Sequence, residues 1–193
     1  MNINMSLYLL ILTFILSCGN INDTSKADEI KPEEVLVKPD IEDEYEDQTM
    51  LIGKFTKEDL QKGPHARWFN NGYTNFNPSD EAIETIKNNI SEYELMVFMG
   101  TWCVDSRREI PKLFKILDEA GYDLSKLTII GVDRNKVTPE KTEADWDIDW
   151  VPTLIFMKDG KEVNRFVEYS RNSIEEDIAN IVTGQEYKNS YFN

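Results

Sequence analysis

A chain of 193 residues with 40% hydrophobic residues is long enough for one domain with a flexible extension and too short for two separate cores. Its formal net charge of -15 excludes nucleic acid as a partner, because affinity for phosphate backbones comes chiefly from Lys and Arg. Cys18 and Cys103 are the only cysteines, so neither a disulfide scaffold nor a cysteine-rich zinc site can form. The sequence therefore predicts no metal and no cofactor.

The chain begins with an apolar run, residues 7–16, that is about half the length a helix needs to cross a bilayer and is typical of a signal-peptide core. The residues after it, Ile15-Leu16-Ser17-Cys18-Gly19, resemble the lipobox of bacterial lipoproteins, in which the signal is cleaved before a cysteine that carries a diacylglycerol. The resemblance implies a signal peptide at residues 1–17 and lipidation of Cys18. Because residues 1–6 contain no Lys or Arg, an uncleaved anchor and an ordinary cleaved signal stay open as alternatives.

The segment that follows is strongly acidic, with eleven acidic residues and three lysines between residues 19 and 50. It has no sustained apolar period, so residues 18–50 are predicted to be a solvated tether. A charge run of this kind could also bind a basic partner or a divalent cation. Together with the lipid anchor, the tether predicts a domain facing the periplasm of a bacterial cell envelope, held by the inner or the outer membrane.

Residues 51–90 are predicted to be an N-terminal elaboration that includes the first helix of the domain. Residues 51–55 have the composition of a short strand, and a capped helix start at Thr56 is followed by the Gly63-Pro64 stop. A further helix is expected to begin at Asn77-Pro78, with a buried stripe formed by Ile83, Ile86 and Ile90.

Aromatic residues are concentrated between Pro64 and Pro78, and they are Trp68, Phe69, Tyr73 and Phe76. We interpret them as packing for the edge of the domain, in preference to a binding surface. His65 is the only histidine and has no Cys, Ser or metal-spaced ligand near it in sequence. It is therefore predicted to be a surface residue.

Residues 91–193 carry the pattern of a mixed α/β core. Residues 94–99 and 127–132 are compact apolar runs typical of buried strands. Between them, one helical face is formed by Ile110, Leu113, Phe114 and Leu117. A strand, helix and strand in this order predict two parallel neighbouring strands.

The rest of this core is predicted to add two helices and a hairpin. A capped start at Thr138-Pro139 predicts a short helix toward Trp146. Strands at residues 153–157 and 162–169 flank an Asp-Gly turn, and Ser173 caps a helix that Gly184 ends. The order βαβαββα is that of an α/β sandwich with a mixed sheet.

Three features at set spacing identify the fold family. Cys103 follows a buried strand and opens a helix, Pro111 lies eight residues later in that helix, and Val151-Pro152-Thr153 precedes the next strand. Together they resemble the thioredoxin family over residues 93–184. The resemblance implies a three-layer sandwich with a mixed central sheet, a terminal hairpin and helices on both faces. It also implies that the peptide before Pro152 is cis and that this proline faces the cysteine.

The same register assigns roles around Cys103, the predicted nucleophile. Helix N-termini favour a thiolate, the attacking species in disulfide exchange. Arg107 and Arg108 in the first turns act in the same direction and Asp105 opposes them, so these three residues are expected to tune the ionisation of the thiol. The expected client-binding residues are Trp102, Trp150, Val151 and Pro152.

Two positions depart from the family pattern. Ser106 stands where dithiol members have a second cysteine, so no disulfide can form within the motif, and its hydroxyl is expected to hydrogen-bond the thiolate. Val97 stands where family reductases have a buried Asp that helps to move protons. Cys103 and Ser106 are thus the predicted catalytic pair, and Cys103 would act as a single thiol.

Two functional hypotheses follow from these positions. In the first, Cys103 forms mixed disulfides with client proteins, and an external thiol or the client itself resolves them. In the second, the chain is a redox-inactive module whose groove binds a partner peptide. A peroxidatic role is disfavoured because Gly100 stands where such sites place Thr, and a monothiol glutaredoxin role because no glutathione-site glycine pair is present.

Overall fold

A computed structural model describes residues 48–192. The predicted signal peptide, Cys18 and nearly all of the tether lie outside the described residues, so the boundaries after residues 17 and 50 stay predictions. Within the described part of the chain, no helix combines the length and the apolar character that crossing a bilayer requires.

Residues 48–192 contain both strands and helices. The strands are β1 Gly53–Phe55, β2 Glu94–Met99, β3 Leu127–Gly131, β4 Thr153–Lys158 and β5 Lys161–Val167. The α-helices are α1 Lys57–Leu60, α2 Ala66–Asn75, α3 Asp80–Asn89, α4 Val104–Glu119 and α5 Ile174–Val182. Short 3-10 turns lie at Gly63–His65, Ile90–Glu92 and Leu124–Lys126.

The strands form one mixed sheet in the order β1-β3-β2-β4-β5. β2 and β3 are parallel, with Val97 opposite Ile129, and every other neighbouring pair is antiparallel. The β4–β5 hairpin turns at Asp159 and Gly160, whose φ angles of 53° and 73° are those of the turn type that matches strand twist. The predicted mixed sheet and terminal hairpin are confirmed.

One face of the sheet carries the main core. Leu95, Val97 and Met99 alternate along β2 toward this face and pack against buried side chains of α2, α3, α4 and α5. The predicted stripe of α4 is confirmed, because all its members are buried: Ile110, Leu113, Phe114 and Leu117. α5 likewise has a buried stripe, formed by Ile178, Ile181 and Val182.

The opposite face is covered in a different way. Phe98, Ile130 and Ile155 form its centre, and Cys103 belongs to the same buried cluster. Trp146 packs on it from the segment between β3 and β4. Cys103 is therefore part of the smaller core, on the side of the sheet away from most helices.

The helix predicted from Thr138 to Trp146 is wrong. This segment is a series of tight turns, with backbone bonds from Lys141 to Thr138, from Ala144 to Lys141 and from Trp146 to Glu143. Lys141 and Asp147 have positive φ angles, which end a right-handed helix. The Glu143 carboxylate accepts from the Thr138 N–H and hydroxyl. Thr138, predicted to cap a helix, therefore stabilises a turn. Turns thus form the layer where the sequence predicts a helix.

The N-terminal elaboration contains a helix that the sequence analysis missed. α1 begins at the predicted cap, with a capping box between Thr56 and Asp59. The helix that was not predicted is α2, which follows the turn Gly63–His65. Phe69 of α2 is fully buried, with its ring 5.6 Å from that of Phe114, so the packing interpretation of the aromatic stretch is confirmed. Weak helix formers in α2 explain why the sequence did not predict it.

Two further expectations in this region are corrected. His65 is buried, at 6% exposure, and its Nε2 lies 3.0 Å from the Thr49 carbonyl oxygen. Burial lowers the pKa of its imidazole, since desolvation disfavours the charged form. α3 begins two residues later than predicted, because Ser79 rather than Asn77 is its N-cap and accepts from the Ala82 N–H.

Candidate functional site

Cys103 lies where β2 gives way to α4. Its N–H donates to the Gly100 carbonyl at 3.0 Å. Its own carbonyl accepts from the backbone N–H of Arg107 at 3.0 Å, which makes Cys103 the N-cap of α4. The side chain is 9% exposed, and the thiol donates to the Val151 carbonyl oxygen at 3.1 Å. The sulfur therefore faces the loop before β4, and Cys103 stands at the end of the helix where the first N–H groups have no partner within the helix.

The loop that faces the sulfur contains a cis peptide between Val151 and Pro152, as the sequence predicts. Two hydrogen bonds fix this loop: the Thr153 hydroxyl donates to the Trp150 carbonyl at 2.7 Å, and the Glu168 N–H donates to the Pro152 carbonyl at 2.7 Å. Within the loop, the side chain of Val151 is buried. The position of the loop is thus set by β4 and by the end of β5.

Trp102 is held against the end of the sheet. Its indole N–H donates to the Val132 carbonyl at 2.9 Å, and the Arg134 guanidinium lies 5.7 Å from the ring centroid. The ring packs over Gly100, where an added Cβ would approach its atoms to 2.5 Å. Gly100 is therefore required by the close approach of the indole, and Trp102 fixes the turn that presents Cys103.

The charged residues of the first helical turns bind one another. Arg108 pairs with Asp105 at 2.6 Å and with the buried Glu109 at 2.6 Å, while Arg107 donates through Nε to the Thr101 carbonyl. The carboxylate of Asp105 is thus compensated by a neighbouring guanidinium. The roles of Asp105, Arg107 and Arg108 in tuning the thiol stay predictions, and Glu109 is a buried acidic residue that the sequence analysis did not single out.

Ser106 does not make the predicted hydrogen bond to the sulfur. Its hydroxyl is fully buried and accepts from the Gly100 N–H at 3.2 Å. The reason is that helical side chains lean toward the N-terminus of their helix, where this one meets the N–H group at the end of β2. Ser106 thus ties the start of α4 to the strand that precedes it.

Tyr191 also lies beside the site and was not predicted from the sequence. Tyr191 stacks on Trp150 with ring centroids 4.7 Å apart and planes 5° apart, and its hydroxyl donates to Glu168. Trp150 directly precedes the cis peptide, so the C-terminal residues reach the predicted client groove. No local pattern in the sequence indicates which part of the domain a short segment after the last helix contacts. The stacking of Tyr191 on Trp150 therefore could not be predicted.

Comparisons with known proteins agree with the geometry. The family model of thioredoxin matches residues 56–180. A TPR repeat-containing thioredoxin of Arabidopsis thaliana is 30% identical over 99 residues, which are 51% of this chain and 24% of that longer protein. The thioredoxin of Mycolicibacterium smegmatis is 30% identical over 89 residues, 46% of this chain and 77% of its own length.

Among solved structures, a protein of unknown function from Pseudomonas aeruginosa covers 69% of this chain and 93% of its own length. Its TM-score is 0.50 and its identity 14%, which is a likeness of fold alone.

Proposed function

This chain belongs to the thioredoxin family, and from that membership we propose that it exchanges thiols and disulfides with client proteins through Cys103 alone. Relatives in this family support a general thiol-disulfide redox role. The observation that carries the single-thiol proposal is the position of the sulfur, at the N-cap of α4 and 3.1 Å from the Val151 carbonyl, with Ser106 in place of a second cysteine.

The proposed exchange has two balanced steps. The Cys103 thiolate attacks one sulfur of a client disulfide, the client S–S bond breaks, and the second client sulfur leaves as a thiolate. A mixed disulfide between Cys103 and the client results. A thiol of the client, or a small external thiol, then attacks this bond as a thiolate and expels Cys103, which regains its reduced form.

The residues around the sulfur would support the first step. Loss of the thiol proton ends the hydrogen bond to the Val151 carbonyl, and the N–H groups of the first turn of α4 then stabilise the anion. The backbone of Val151 and the ring of Pro152 would form the side of the groove that an extended client segment contacts. Ser106 would preserve the turn before α4. Because it is not a cysteine, no second thiol of the motif could attack the mixed disulfide.

The alternative is a redox-inactive module that binds a protein segment in the same groove. The observation that favours it is the low exposure of Cys103, whose thiol is occupied by the Val151 carbonyl. Both proposals use Trp150, Val151 and Pro152, and they differ only in whether the sulfur reacts. Covalent capture of clients separates them.

We expect wild-type protein to yield mixed disulfides when cells are quenched with acid and then alkylated. These complexes should appear as high-mass, thiol-reducible bands in non-reducing electrophoresis. Cys103→Ser should remove them completely, because residues 48–192 contain no other cysteine and the thiol of Cys18 would be blocked by its proposed acylation. Arg67→Ala, a change on the exposed side of α2, is a matched surface control that should retain them. Bands of equal intensity in Cys103→Ser would contradict the proposal, and absence of bands in wild type would favour the binding module.

The anchoring proposal concerns residues outside the described part of the chain. We propose that Cys18 is the mature N-terminus, that its thiol is acylated, and that the acidic tether presents the domain to the periplasm of a bacterial envelope. The lipobox resemblance of residues 15–19 supports this. Mass spectrometry of protein extracted from cells should give a lipid-modified peptide that begins at Cys18. Peptides containing residues 1–17, or an unmodified Cys18, would contradict the proposal.

A further inference from the structure

The chain continues beyond the part that matches the family model, which ends at residue 180. After α5, Gly184 has a φ of 70° and turns the chain into residues 185–192, here called the C-terminal segment. This segment folds back toward the end of β5, where Arg171 donates to the carbonyls of Asn189, at 3.2 and 3.0 Å, and of Phe192, at 3.2 Å. It is therefore fixed on the domain over most of its length.

Further bonds fix the C-terminal segment along the same edge. The Tyr187 hydroxyl donates to the buried Asp177 carboxylate at 3.2 Å, and the Ser190 hydroxyl donates to the Tyr169 carbonyl. Burial raises the pKa of the Asp177 carboxyl. Since Tyr169 and Glu168 directly follow β5, whose end also holds the cis-proline loop, these contacts bring Tyr191 to the rim of the groove.

Tyr191 and Trp150 together form a stacked aromatic surface, here called the aromatic wall. The two rings are parallel, and Tyr169 meets Tyr191 edge to face at 6.1 Å. Trp150 is 43% exposed and Tyr191 40%, so each ring retains a large area in contact with solvent. Val104, next to Cys103 in sequence, is 72% exposed. Exposed apolar side chains gathered at one place mark interaction surfaces more often than single ones do.

Charges of both signs lie around the aromatic wall, and acidic residues outnumber basic ones. The Lys136 ammonium lies 6.0 Å from the centroid of the Trp150 ring, and the Arg165 guanidinium donates to the Trp146 and Asp147 carbonyls. Asp145, Asp147 and Asp149 are exposed just before Trp150, and Glu168 accepts from the Tyr191 hydroxyl. The Glu168 bond raises the pKa of Tyr191, and the charge of Asp105 in the first turn of α4 acts in the same direction. Tyr191 therefore lies beside the cis-proline loop, where carboxylates outnumber cations.

We propose that the aromatic wall is a specificity-determining surface of the client groove, and that it selects segments with an aromatic or large aliphatic residue and a Lys or Arg beside the reactive cysteine. The inference rests on the proposed function of Cys103. Stacked rings lose little conformational entropy on binding and present a broad apolar face. The surrounding carboxylates complement a basic client residue and disfavour an acidic one.

The alternative role of the C-terminal segment is that of a lid over the sulfur. The contacts argue against it, because the hydrogen-bond partner of the Cys103 thiol is Val151, whereas Tyr191 contacts Trp150, Tyr169 and Glu168. A lid would slow the reaction of Cys103 with every disulfide. A specificity surface would change only the ranking of clients.

The experiment measures the rate at which the full-length protein forms a mixed disulfide with each of two cyclic peptides. Each peptide contains one disulfide, and the two differ in the residues beside one of its cysteines. One carries Phe and Lys at these positions, and the other carries Ala and Glu. Wild type and Cys103→Ser are also tested with 4,4′-dithiodipyridine, and the reaction that is lost in Cys103→Ser reports whether Cys103 reacts at all. We expect wild type to prefer the Phe-Lys peptide by about five- to tenfold, the range expected for one aromatic contact.

Tyr191→Ala should reduce this preference to about twofold or less, and Tyr191→Phe, which retains the ring, should preserve it. Equal rates for both peptides in wild type, or an unchanged ratio in Tyr191→Ala, would overturn the inference while leaving the proposed function in place. Faster reaction of Tyr191→Ala with every disulfide would overturn it in favour of a lid. Failure of wild type to react with 4,4′-dithiodipyridine or either peptide would instead refute the proposed function.

Discussion

Replacing Ser106 with cysteine should produce a protein that forms an internal disulfide with Cys103 on mild oxidation and releases clients without added thiol. Cys103 is the N-cap of α4 and Ser106 the third helical residue. Side chains three apart on a helix are neighbours, with Cβ atoms about 5–6 Å apart, and small adjustments bring such a pair within disulfide range. The new thiol could therefore attack the sulfur of Cys103 in a mixed disulfide and expel the client.

The gain in client release should be partial, for two reasons that the structure makes specific. Val97 is fully buried at the centre of β2, so this position offers no carboxylate to accept a proton from the new thiol. Attack depends on the fraction of thiolate, which limits the rate. In addition, the Gly100 N–H loses the hydroxyl of Ser106 as its acceptor, at a cost of about 1 kcal/mol in the free energy of unfolding.

Ser106→Ala is the matched control, because it removes the same hydroxyl and adds no thiol. Each protein is loaded with a model client as a mixed disulfide on Cys103, and client release is followed at neutral pH without added thiol. Release should be faster in Ser106→Cys only, and slow in wild type and in Ser106→Ala. Equal release in all three, with no disulfide between positions 103 and 106 after oxidation, would remove the structural basis of the exchange proposal.

The elements that sequence alone predicted well are those fixed by local patterns. β2 agrees with its predicted range because a continuous apolar run closed by Gly100 has few other structures available. The stripe of α4 and the Asp159-Gly160 turn are likewise determined within one turn or one hairpin. The cis peptide at Pro152 was predictable only because three separated features share the register of a known family.

The elements that sequence alone did not predict depend on contacts between distant residues. α2 is stabilised by burying Phe69 against Phe114, which no local propensity reveals. His65 is buried because the turn before α2 directs it at the Thr49 carbonyl. In the site, the Ser106 hydroxyl accepts from the Gly100 N–H and makes no hydrogen bond to the sulfur. Tyr191, which stacks on Trp150, is 41 positions later in the sequence.

Replacing Gly131 with alanine should lower the free energy of unfolding by about 3 kcal/mol or more, the largest loss we expect from any single methyl group in this domain. An added Cβ at this position would lie 1.9 Å from the Leu51 carbonyl oxygen. That oxygen belongs to the backbone, so no change of rotamer can relieve the overlap. The segment before β1 must move away from β3, where Gly53 pairs with Gly131.

The same displacement should reach the candidate site. The Leu51 N–H donates to the Thr101 hydroxyl at 3.3 Å, and Thr101 directly precedes Trp102 and Cys103. Loss of this bond frees one side of the turn that presents the thiol. We therefore expect Gly131→Ala to lose stability and to alter the rate at which Cys103 reacts with a small disulfide under conditions where the protein is still folded.

Gly121→Ala separates the steric effect from the conformational one. Gly121 has a φ of 68°, and an added Cβ would meet no described atom within 4 Å, so alanine there should cost only about 1–2 kcal/mol, from its left-handed backbone. Urea unfolding followed by tryptophan fluorescence compares the two variants with wild type. Similar small losses in both would mean that the segment before β1 is displaced from the sheet at little cost. In that case the Leu51 to Thr101 contact could not hold the turn of Cys103, and the position of the thiol would depend on Ser106 and Trp102 alone.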